Sequence, residues 1–258
     1  MSQGASYWSR QKESWASLKG LHPRSIDLRL TALIRDAQVG ALLDPESLES
    51  LLLRLGLNDE ALHEFPHELH PRCGRGLRIW QYPVQFSRYL IQLSRLTIHS
   101  YLEVGIRHGG SFVTTVEYLD RFHALDFAIA VDVIPCPSMA AYNSENARAQ
   151  FWCLNTRGPD FAARVAELDS LDLVFIDSQH EEEHCRAEFE IIADRANLMA
   201  FHDVANRDCP GVRQVWREIT RQPGYTCFEY IDQYAELGPF MGIGLAIKKE
   251  RLRGVELT

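Results

Sequence analysis

The sequence predicts one α/β core built on a mostly parallel β-sheet, with a helical segment in front of it. The chain has 258 residues, which is enough for one domain of ordinary size and a modest addition. Hydrophobic residues make up 46% and charged residues 24% of the chain, the usual proportions of a globular domain. From about residue 84 onward, short apolar runs alternate with amphipathic segments, a rhythm typical of a parallel sheet with helices on both faces.

The N-terminal part is predicted to be helical. Between residues 25 and 57 apolar residues recur at helical spacing, and Asp44-Pro45 separates two helices. The stretch 63–76 (HEFPHELHPRCGRG) is rich in Pro, His and Gly and has no period, which indicates a loop or lid. We therefore expect a helical appendage with its lid loop over residues 1–76 and the main domain over residues 77–258.

The main domain is predicted to begin with an amphipathic helix (VQFSRYLIQLSRL) directly after Tyr82-Pro83. The last two apolar runs that follow it are separated by too few residues for a crossover of about a dozen, so the final strand should run antiparallel to its neighbours. The seven candidate strands are Ser100–Val104, Phe127–Val133, Phe151–Leu154, Leu171–Ile176, Leu198–His202, Thr226–Ile231 and Gly242–Lys248.

Charge and cysteine usage exclude several classes of protein. A formal net charge of −8 argues against nucleic-acid binding, because neutralising phosphates requires clustered Lys and Arg. The six cysteines are scattered without a C-x-x-C pair, which favours reduced thiols over a disulfide framework. The first residues (MSQGASYWSRQKESW) lack the apolar run of a signal peptide, and no stretch approaches ~18 uninterrupted apolar residues. We expect a cytoplasmic protein that does not contact a membrane.

A glycine-rich turn follows the first candidate strand. In the segment SYLEVGIRHGGSF, Gly105, Gly109 and Gly110 stand where the backbone must turn sharply at the carboxyl end of a strand. Ligands bind at that edge of a parallel sheet. The spacing is E-x-G-x-x-x-G-G rather than G-x-G-x-x-G, so taken alone it also fits a dinucleotide site or a purely structural turn.

Acidic and histidine residues follow several other strands at the same edge. The second strand ends at Asp132, whose carboxylate could accept both hydroxyls of a ribose or could cap the following turn. The fourth strand delivers Asp177 and then His180, and the fifth ends in His202 and Asp203. Two carboxylates and two imidazoles in one crevice suit a divalent cation or a base that removes a hydroxyl proton. The alternative is that the acids cap the succeeding helices and the histidines are ordinary loop residues.

Four segments together resemble one group of enzymes in their order and spacing. They are I-W-Q-Y-P, Y-L-E-V-G-I-R-H-G-G-S-F, D-L-V-F-I-D-S-Q-H, and F-H-D-V followed by P-G-V. They resemble class I S-adenosylmethionine (SAM)-dependent methyltransferases, in particular the small-molecule and sugar O-methyltransferases grouped with cephalosporin hydroxylase. The resemblance runs from about Ile79 to Lys248. It implies a Rossmann-like, seven-stranded, mostly parallel sheet whose last strand is antiparallel.

The resemblance also implies which residues bind SAM. Gly105 and its neighbouring glycines would lie against the methionine part, and Glu103 would face its amino group. Asp132 would bind the ribose, and a segment including Gln81 would lie over the mouth of the site. The full set of expected SAM-binding residues is Gln81, Glu103, Gly105, Gly109, Gly110, Ser111, Asp132, Asn155 and Thr156, the last two beside the adenine.

For the chemistry, the resemblance implies that Asp177 and His180 act as a cation ligand and a catalytic base. Asp203 matches the second acid of the metal site, whereas His202 stands where sugar methyltransferases often have another acid. A set of Asp177, His202 and Asp203 favours Mn²⁺ over Mg²⁺, because imidazole suits transition metals. A metal-free site that uses His180 alone is the other interpretation.

The expected function is therefore SAM-dependent O-methylation of a small-molecule or sugar hydroxyl, with Mg²⁺ or Mn²⁺ as the assisting cation in the metal-dependent interpretation. One alternative is a metal-dependent oxygenase like cephalosporin hydroxylase, with Fe(II) held by two histidines and one carboxylate. Another is a non-catalytic binding domain. The identity of the acceptor is not legible in the sequence, and the apolar N-terminal helices could serve as a contact between two copies of the chain.

Overall fold

The computed structural model describes residues 22–234 and 237–252. Within them, seven strands form one sheet in the order β3-β2-β1-β4-β5-β7-β6. The prediction of a Rossmann-like, mostly parallel sheet is confirmed. The strands are β1 (Ser100–Val104), β2 (Phe127–Asp132), β3 (Ala149–Cys153), β4 (Leu171–Ile176), β5 (Ala196–His202), β6 (Tyr225–Tyr230) and β7 (Ile243–Lys248).

Strands β1 to β5 are parallel to one another, and β7 lies between β5 and β6 and is antiparallel to both. The expected antiparallel final strand is therefore confirmed. In the register of this pairing, Ile243 stands opposite both His202 and Tyr230. Because β1 to β5 are parallel, their carboxyl ends open at one edge of the sheet, where ligands bind in folds of this kind.

Helices cover both faces of the sheet. The described α-helices are α1 (Ala32–Arg35), α2 (Val39–Leu43), α3 (Pro45–Leu55), α4 (Pro83–Ser94), α5 (Gly110–Leu119), α6 (Pro137–Glu145), α7 (Pro159–Ala166), α8 (Glu182–Ala193) and α9 (Pro210–Thr220). Alternate strand residues point to opposite faces, so Tyr101 packs with α4, α5 and α6 while its neighbour Leu102 packs with α7, α8 and α9. None of the described helices is long and apolar enough to span a membrane.

The described part of the N-terminal appendage contributes to the same core. Helix α3 begins as the sequence indicates, because Asp44 accepts a hydrogen bond from the Ser47 backbone N–H at 2.9 Å and Pro45 occupies the first turn. Its buried residues Leu48 and Leu52 share a core with Phe86 of α4. Residues 1–21, which include the segment tested above for a signal peptide, lie outside the described residues.

The predicted lid loop is tied to the end of α3. Gly56 ends the helix at a φ of 97°, and the Leu57 carbonyl then accepts a hydrogen bond from the Gly74 N–H at 2.8 Å. The Leu77 N–H donates to the Leu55 carbonyl at 2.7 Å. These contacts place the segment from Asn58 to Trp80 across the carboxyl edge of the sheet, where it forms one wall of a cleft.

Candidate active site

A cleft of about 730 Å³ opens at the carboxyl edge of the sheet. Its floor is formed by the turns that follow β1 to β5, and the segment between Asn58 and Trp80 covers it. This volume is within the range of about 300–1,000 Å³ that small-molecule sites occupy. The cleft therefore has the size and the position expected of a site for a nucleoside-containing ligand in a sheet of this topology.

The glycines after β1 are required by close packing of the protein itself. Gly105 has a φ of 83°, and a Cβ there would collide with the Asp177 backbone carbonyl. A Cβ on Gly110 would collide with the Leu77 carbonyl. Gly109 has a φ of 88°, and its Cβ would lie 2.6 Å from Cε of Met139. Of the three, Gly105 and Gly110 line the cleft, and their role toward SAM stays a prediction.

Glu103 lies beneath this turn rather than in the wall of the cleft. Its side chain is fully buried and accepts hydrogen bonds from Ser111 Oγ at 2.6 Å and from the Tyr101 hydroxyl. Burial raises the pKa of Glu103 to about 8, although the hydrogen bonds from Ser111 and Tyr101 oppose the shift. Ser111 lines the cleft and Glu103 does not, and the expected contact of Glu103 with the amino group of SAM stays a prediction.

Asp132 connects the turn after β1 with the turn after β2. Its Oδ2 accepts hydrogen bonds from the backbone N–H groups of Ile106 (3.2 Å) and Arg107 (2.9 Å), and its Oδ1 accepts one from Ile134 (3.0 Å). Burial raises the pKa of Asp132, and these three backbone donors partly oppose the shift. The turn-capping role is thus present, and the carboxylate also faces the cleft, where its contact with a ribose stays a prediction.

The two residues expected beside the adenine differ in their surroundings. Asn155 is exposed, and its Oδ1 accepts a hydrogen bond from the Arg157 backbone N–H at 3.0 Å, an ordinary turn contact. Thr156 is buried, and its hydroxyl donates to Oε1 of Glu188 at 2.6 Å. Both residues line the cleft, so the structure brings them to the expected place without testing their role.

The structure brings the predicted acids and histidines after β4 and β5 into one cluster. Nδ1 of His202 lies 3.0 Å from Oδ1 of Asp177 and 3.6 Å from Oδ2 of Asp203. Nε2 of His180 lies 2.8 Å from Oδ2 of Asp203 and 3.7 Å from Oδ1 of Asp177. We call these four residues, Asp177, His180, His202 and Asp203, the Asp-His cluster.

The outer oxygen of each carboxylate in the Asp-His cluster is held by an amide. Nε2 of Gln81 donates to Oδ2 of Asp177 at 3.2 Å, and Nδ2 of Asn206 donates to Oδ1 of Asp203 at 2.8 Å. The other oxygen of each acid therefore faces the imidazoles. Gln81 is fully buried and contacts Asp177 instead of lining the cleft, so its geometry relates it to the cluster, while its predicted contact with SAM is untested.

The charges of the Asp-His cluster stabilise one another. Burial alone would lower the pKa of each histidine, but the carboxylates of Asp203 and Asp177 outweigh it, raising the pKa of His180 to about 9 and that of His202 well above its usual value. Burial would likewise raise the pKa of Asp203, yet both histidines hold it well below the ordinary range. When no cation is bound, the imidazoles of His180 and His202 therefore carry protons.

Three of the four residues in the Asp-His cluster offer donor atoms that fit a single cation. One ligand atom each from Asp177, His202 and Asp203 lies within 4.8 Å of the others. Atoms that each stand ~2.1 Å from one ion are about 3 to 3.6 Å apart, close to the separations found here. Nε2 of His202 is buried without a hydrogen-bond partner among the described residues. A mixed imidazole and carboxylate set suits a transition-metal ion better than Mg²⁺.

Sequence comparison agrees with the fold. Residues 102–204 match a family model described as a methyltransferase domain. This segment begins in β1 and ends just beyond Asp203, so it contains every strand end that forms the floor of the cleft. Over this segment the chain is therefore similar to methyltransferase domains. None of the curated protein sequences matches it.

Solved structures of similar fold are described as different enzymes. An O-methyltransferase from Bacillus cereus in complex with SAH is 14% identical, with a TM-score of 0.46 over 82% of this chain and 92% of its own. An rRNA methylase from Streptococcus thermophilus is 10% identical, with a TM-score of 0.49 over 64% and 96%. Spermidine synthase from Thermotoga maritima is 16% identical, with a TM-score of 0.42 over 66% and 63%. Likenesses this weak carry no argument about the acceptor.

Sequence reasoning missed Glu64, which lines the cleft of the methyltransferase domain from the lid side. Its Oε2 accepts a hydrogen bond from Nε1 of Trp80 at 3.3 Å, and its Oε1 is buried without a partner among the described residues. Burial, reinforced by the negative charge of Asp203, raises the pKa of Glu64 to about 7. The aperiodic stretch around it offered no signal, because burial of this loop follows only from its packing across the sheet edge.

Sequence reasoning also missed Glu188, a fully buried acid on α8. Here a signal was available. The buried residues of the helix are His184, Cys185, Glu188 and Ile192, so an acid stands on the buried side of the helix, one turn after a histidine. A charged residue in such a position needs hydrogen-bonding partners, and those partners prove to line the cleft.

Proposed function

We propose that the methyltransferase domain transfers the methyl group of SAM to a hydroxyl of a small-molecule or sugar acceptor, assisted by a divalent cation. The observation that supports this most is the Asp-His cluster, which gathers cation ligands and a base in the cleft next to the glycine turn. An acid pair whose outer oxygens are each oriented by an amide is typical of a metal centre. The proposed acceptor is small because the segment carrying Glu64 and Trp80 covers the cleft.

In this proposal the turn after β1 and the ends of β2 and β3 bind SAM. Ser111 receives the methionine part, Asp132 accepts a hydrogen bond from a ribose hydroxyl, and Asn155 and Thr156 border the adenine. Asp132 is oriented for this by its three backbone donors, which occupy both lone pairs of Oδ2 and one of Oδ1 and leave the second lone pair of Oδ1 for the ribose. The carboxylates around the cleft also suit a cofactor that carries a sulfonium charge.

The cation would be held by Asp177, His202 and Asp203. When bound, it would supply positive charge that makes the acceptor hydroxyl more acidic and offsets the two carboxylates. His180 accepts the hydroxyl proton as the methyl group passes from sulfur to oxygen, and SAH leaves with the sulfur electrons. Holding the two reactants in line supplies most of the rate enhancement.

Titration calorimetry with SAH tests the proposal. Wild-type protein is expected to bind SAH, and Asp132→Asn is expected to weaken binding at least ~10-fold, because the amide can no longer accept hydrogen bonds on both sides. Asp126→Asn, at an exposed position outside the cleft, is the matched control and should bind as wild type does. SAH formation from SAM is then followed with a panel of sugars and phenols in the presence of Mn²⁺ or of a chelator. Absence of SAH binding under every condition would refute the proposal.

A second candidate is the metal-dependent oxygenase. The two imidazoles approach the same carboxylate oxygen of Asp203, His180 at 2.8 Å and His202 at 3.6 Å, and two histidines with one carboxylate suit Fe(II). Calorimetry separates the two candidates, because an oxygenase would bind a 2-oxo acid in the presence of Fe(II) under argon and would leave SAH unbound.

A further inference from the structure

Glu188 gathers hydrogen bonds from the wall of the cleft. Its carboxylate accepts from Thr156 Oγ1 at 2.6 Å and from Ser178 Oγ at 2.6 to 2.7 Å. Nε2 of His184 approaches the same carboxylate at 3.0 Å. Thr156, Ser178 and His184 all line the cleft, whereas Glu188 stands behind them.

This arrangement fixes the polarity of two hydroxyl groups. A hydroxyl has one hydrogen and two lone pairs, and in most sites it rotates to donate or to accept as the ligand requires. Nε2 of His184 also lies 3.1 Å from Thr156 Oγ1, and with its proton on that nitrogen it is a donor to this group, so the single hydrogens of Ser178 and Thr156 are both directed at Glu188. Each oxygen therefore offers only lone pairs to the cleft, so that this stretch of wall accepts hydrogen bonds and does not donate them.

The position of the two hydroxyls relates them to one part of the ligand. Thr156 follows β3 and Ser178 follows β4, directly after Asp177. They border the cleft on the side where the proposed function puts the adenine, and the exocyclic amino group of adenine is a hydrogen-bond donor. Hypoxanthine, its deaminated counterpart, carries a carbonyl acceptor at the same atom.

We infer that Glu188 is a positioning residue that makes the site specific for an amino-bearing purine, because it holds Ser178 and Thr156 as acceptors. The inference rests on the proposed function, since it requires SAM in the cleft. A carbonyl at this place loses the hydrogen bond and faces two oxygens that cannot donate. Sites that pair with a ligand N–H reject an analogue without it, and one such unpaired contact costs on the order of a 10- to 100-fold loss of affinity.

The test compares SAH with S-inosylhomocysteine, which differs only by having hypoxanthine in place of adenine. Calorimetry should show wild-type protein binding SAH at least ~10-fold more tightly. In Glu188→Gln the side-chain amide donates to one hydroxyl, which then turns its hydrogen toward the cleft. The ratio of the two affinities should fall toward one. Glu190→Gln, an exposed position on the same helix, is the control and should keep the wild-type ratio.

If Glu188 had only a general structural role, Glu188→Gln would weaken the binding of both ligands equally and leave the ratio of the two affinities unchanged. If Glu188→Gln does not fold, as judged by circular dichroism, Ser178→Ala is measured instead and should lower the ratio by weakening SAH alone. Equal binding of both ligands to wild type, or an unchanged ratio in the variant, overturns the inference while the proposed function stands. Failure of wild type to bind either ligand overturns both.

Discussion

Oδ1 of Asp177 and Nδ1 of His202 lie 3.0 Å apart, although 25 residues separate them in the chain. The contact exists because β4 and β5 are parallel neighbours with Ile176 paired to Phe201, so Asp177, the residue after β4, lies level with His202, the last residue of β5. A carboxylate and an imidazole held in this way form one side of the proposed cation site.

We predict that Asp177→Asn weakens Mn²⁺ binding at least ~10-fold, because the amide removes a negative ligand and leaves the histidines facing a single carboxylate. Electron paramagnetic resonance of free Mn²⁺ in a titration measures the affinity. Asp169→Asn, at an exposed position before β4, should leave it unchanged. Equal Mn²⁺ affinity in wild type and Asp177→Asn would show that the cation does not bind at this site.

The amide of Gln81 gives a sharper test of how the cluster is organised. Gln81→Met keeps the side-chain volume and removes the hydrogen bond to Oδ2 of Asp177. Loss of such an outer contact typically costs 10- to 100-fold in metal affinity. We therefore expect weaker Mn²⁺ binding with nearly unchanged SAH binding. If calorimetry instead shows weaker SAH binding and unchanged Mn²⁺ binding, Gln81 contacts SAM, as the sequence resemblance implies.

Much of this geometry follows from local sequence patterns. The apolar runs predict β1 and β4 at their observed bounds, and the short connection before β7 predicts its antiparallel direction. The convergence of Asp177 with His202 and Asp203 needs only the rule that parallel strands end at one edge. Each of these predictions depends on a periodicity or a connection length, which a single sequence displays.

The remaining contacts depend on packing between distant segments. Glu64 reaches the cleft because the loop after α3 is hydrogen-bonded across the sheet edge, and no period in the sequence reports that placement. Glu103 shows another such contact. The sequence places it next to the glycine turn, but only the packing shows that Ser111 binds its carboxyl group and lines the cleft.

Burial of Glu103 has a consequence for stability. Its pKa is about 8 in the folded protein, against an ordinary value of 4.5. Between these two values the folded state binds a proton that the unfolded state releases, so stability falls as the pH rises from about 4.5 to about 8. We expect Glu103→Gln to remove this part of the pH dependence. Melting temperatures at pH 5 and pH 8 measure it, and an equally steep fall in the variant would contradict the raised pKa.

Gly110 is predicted to tolerate no side chain. A Cβ there would overlap the Leu77 carbonyl, a backbone atom in the segment that covers the cleft, so Gly110→Ala must separate α5 from that segment. We expect a loss of roughly 3 kcal/mol or more in the free energy of unfolding. Gly40→Ala is the control, because nothing lies within 4 Å of its Cβ and alanine is the better helix former. Denaturant unfolding that shows equal stability for both variants would contradict the tight packing.

His180 provides the prediction closest to the chemistry. Its pKa of about 9 means that in cation-free protein it carries a proton at neutral pH and cannot act as a base. Since the folded pKa lies above the ordinary 6.5, the resulting stability is fully present below about pH 6.5 and is lost as the pH rises through 9. NMR titration of the histidine ring protons, assigned with His180→Gln, should give a midpoint near 9 with chelator and a lower one with Zn²⁺, a diamagnetic probe. The lower midpoint follows because a cation between the carboxylates repels the imidazolium proton. A midpoint that stays near 9 when the ion is bound would exclude His180 as the base at neutral pH.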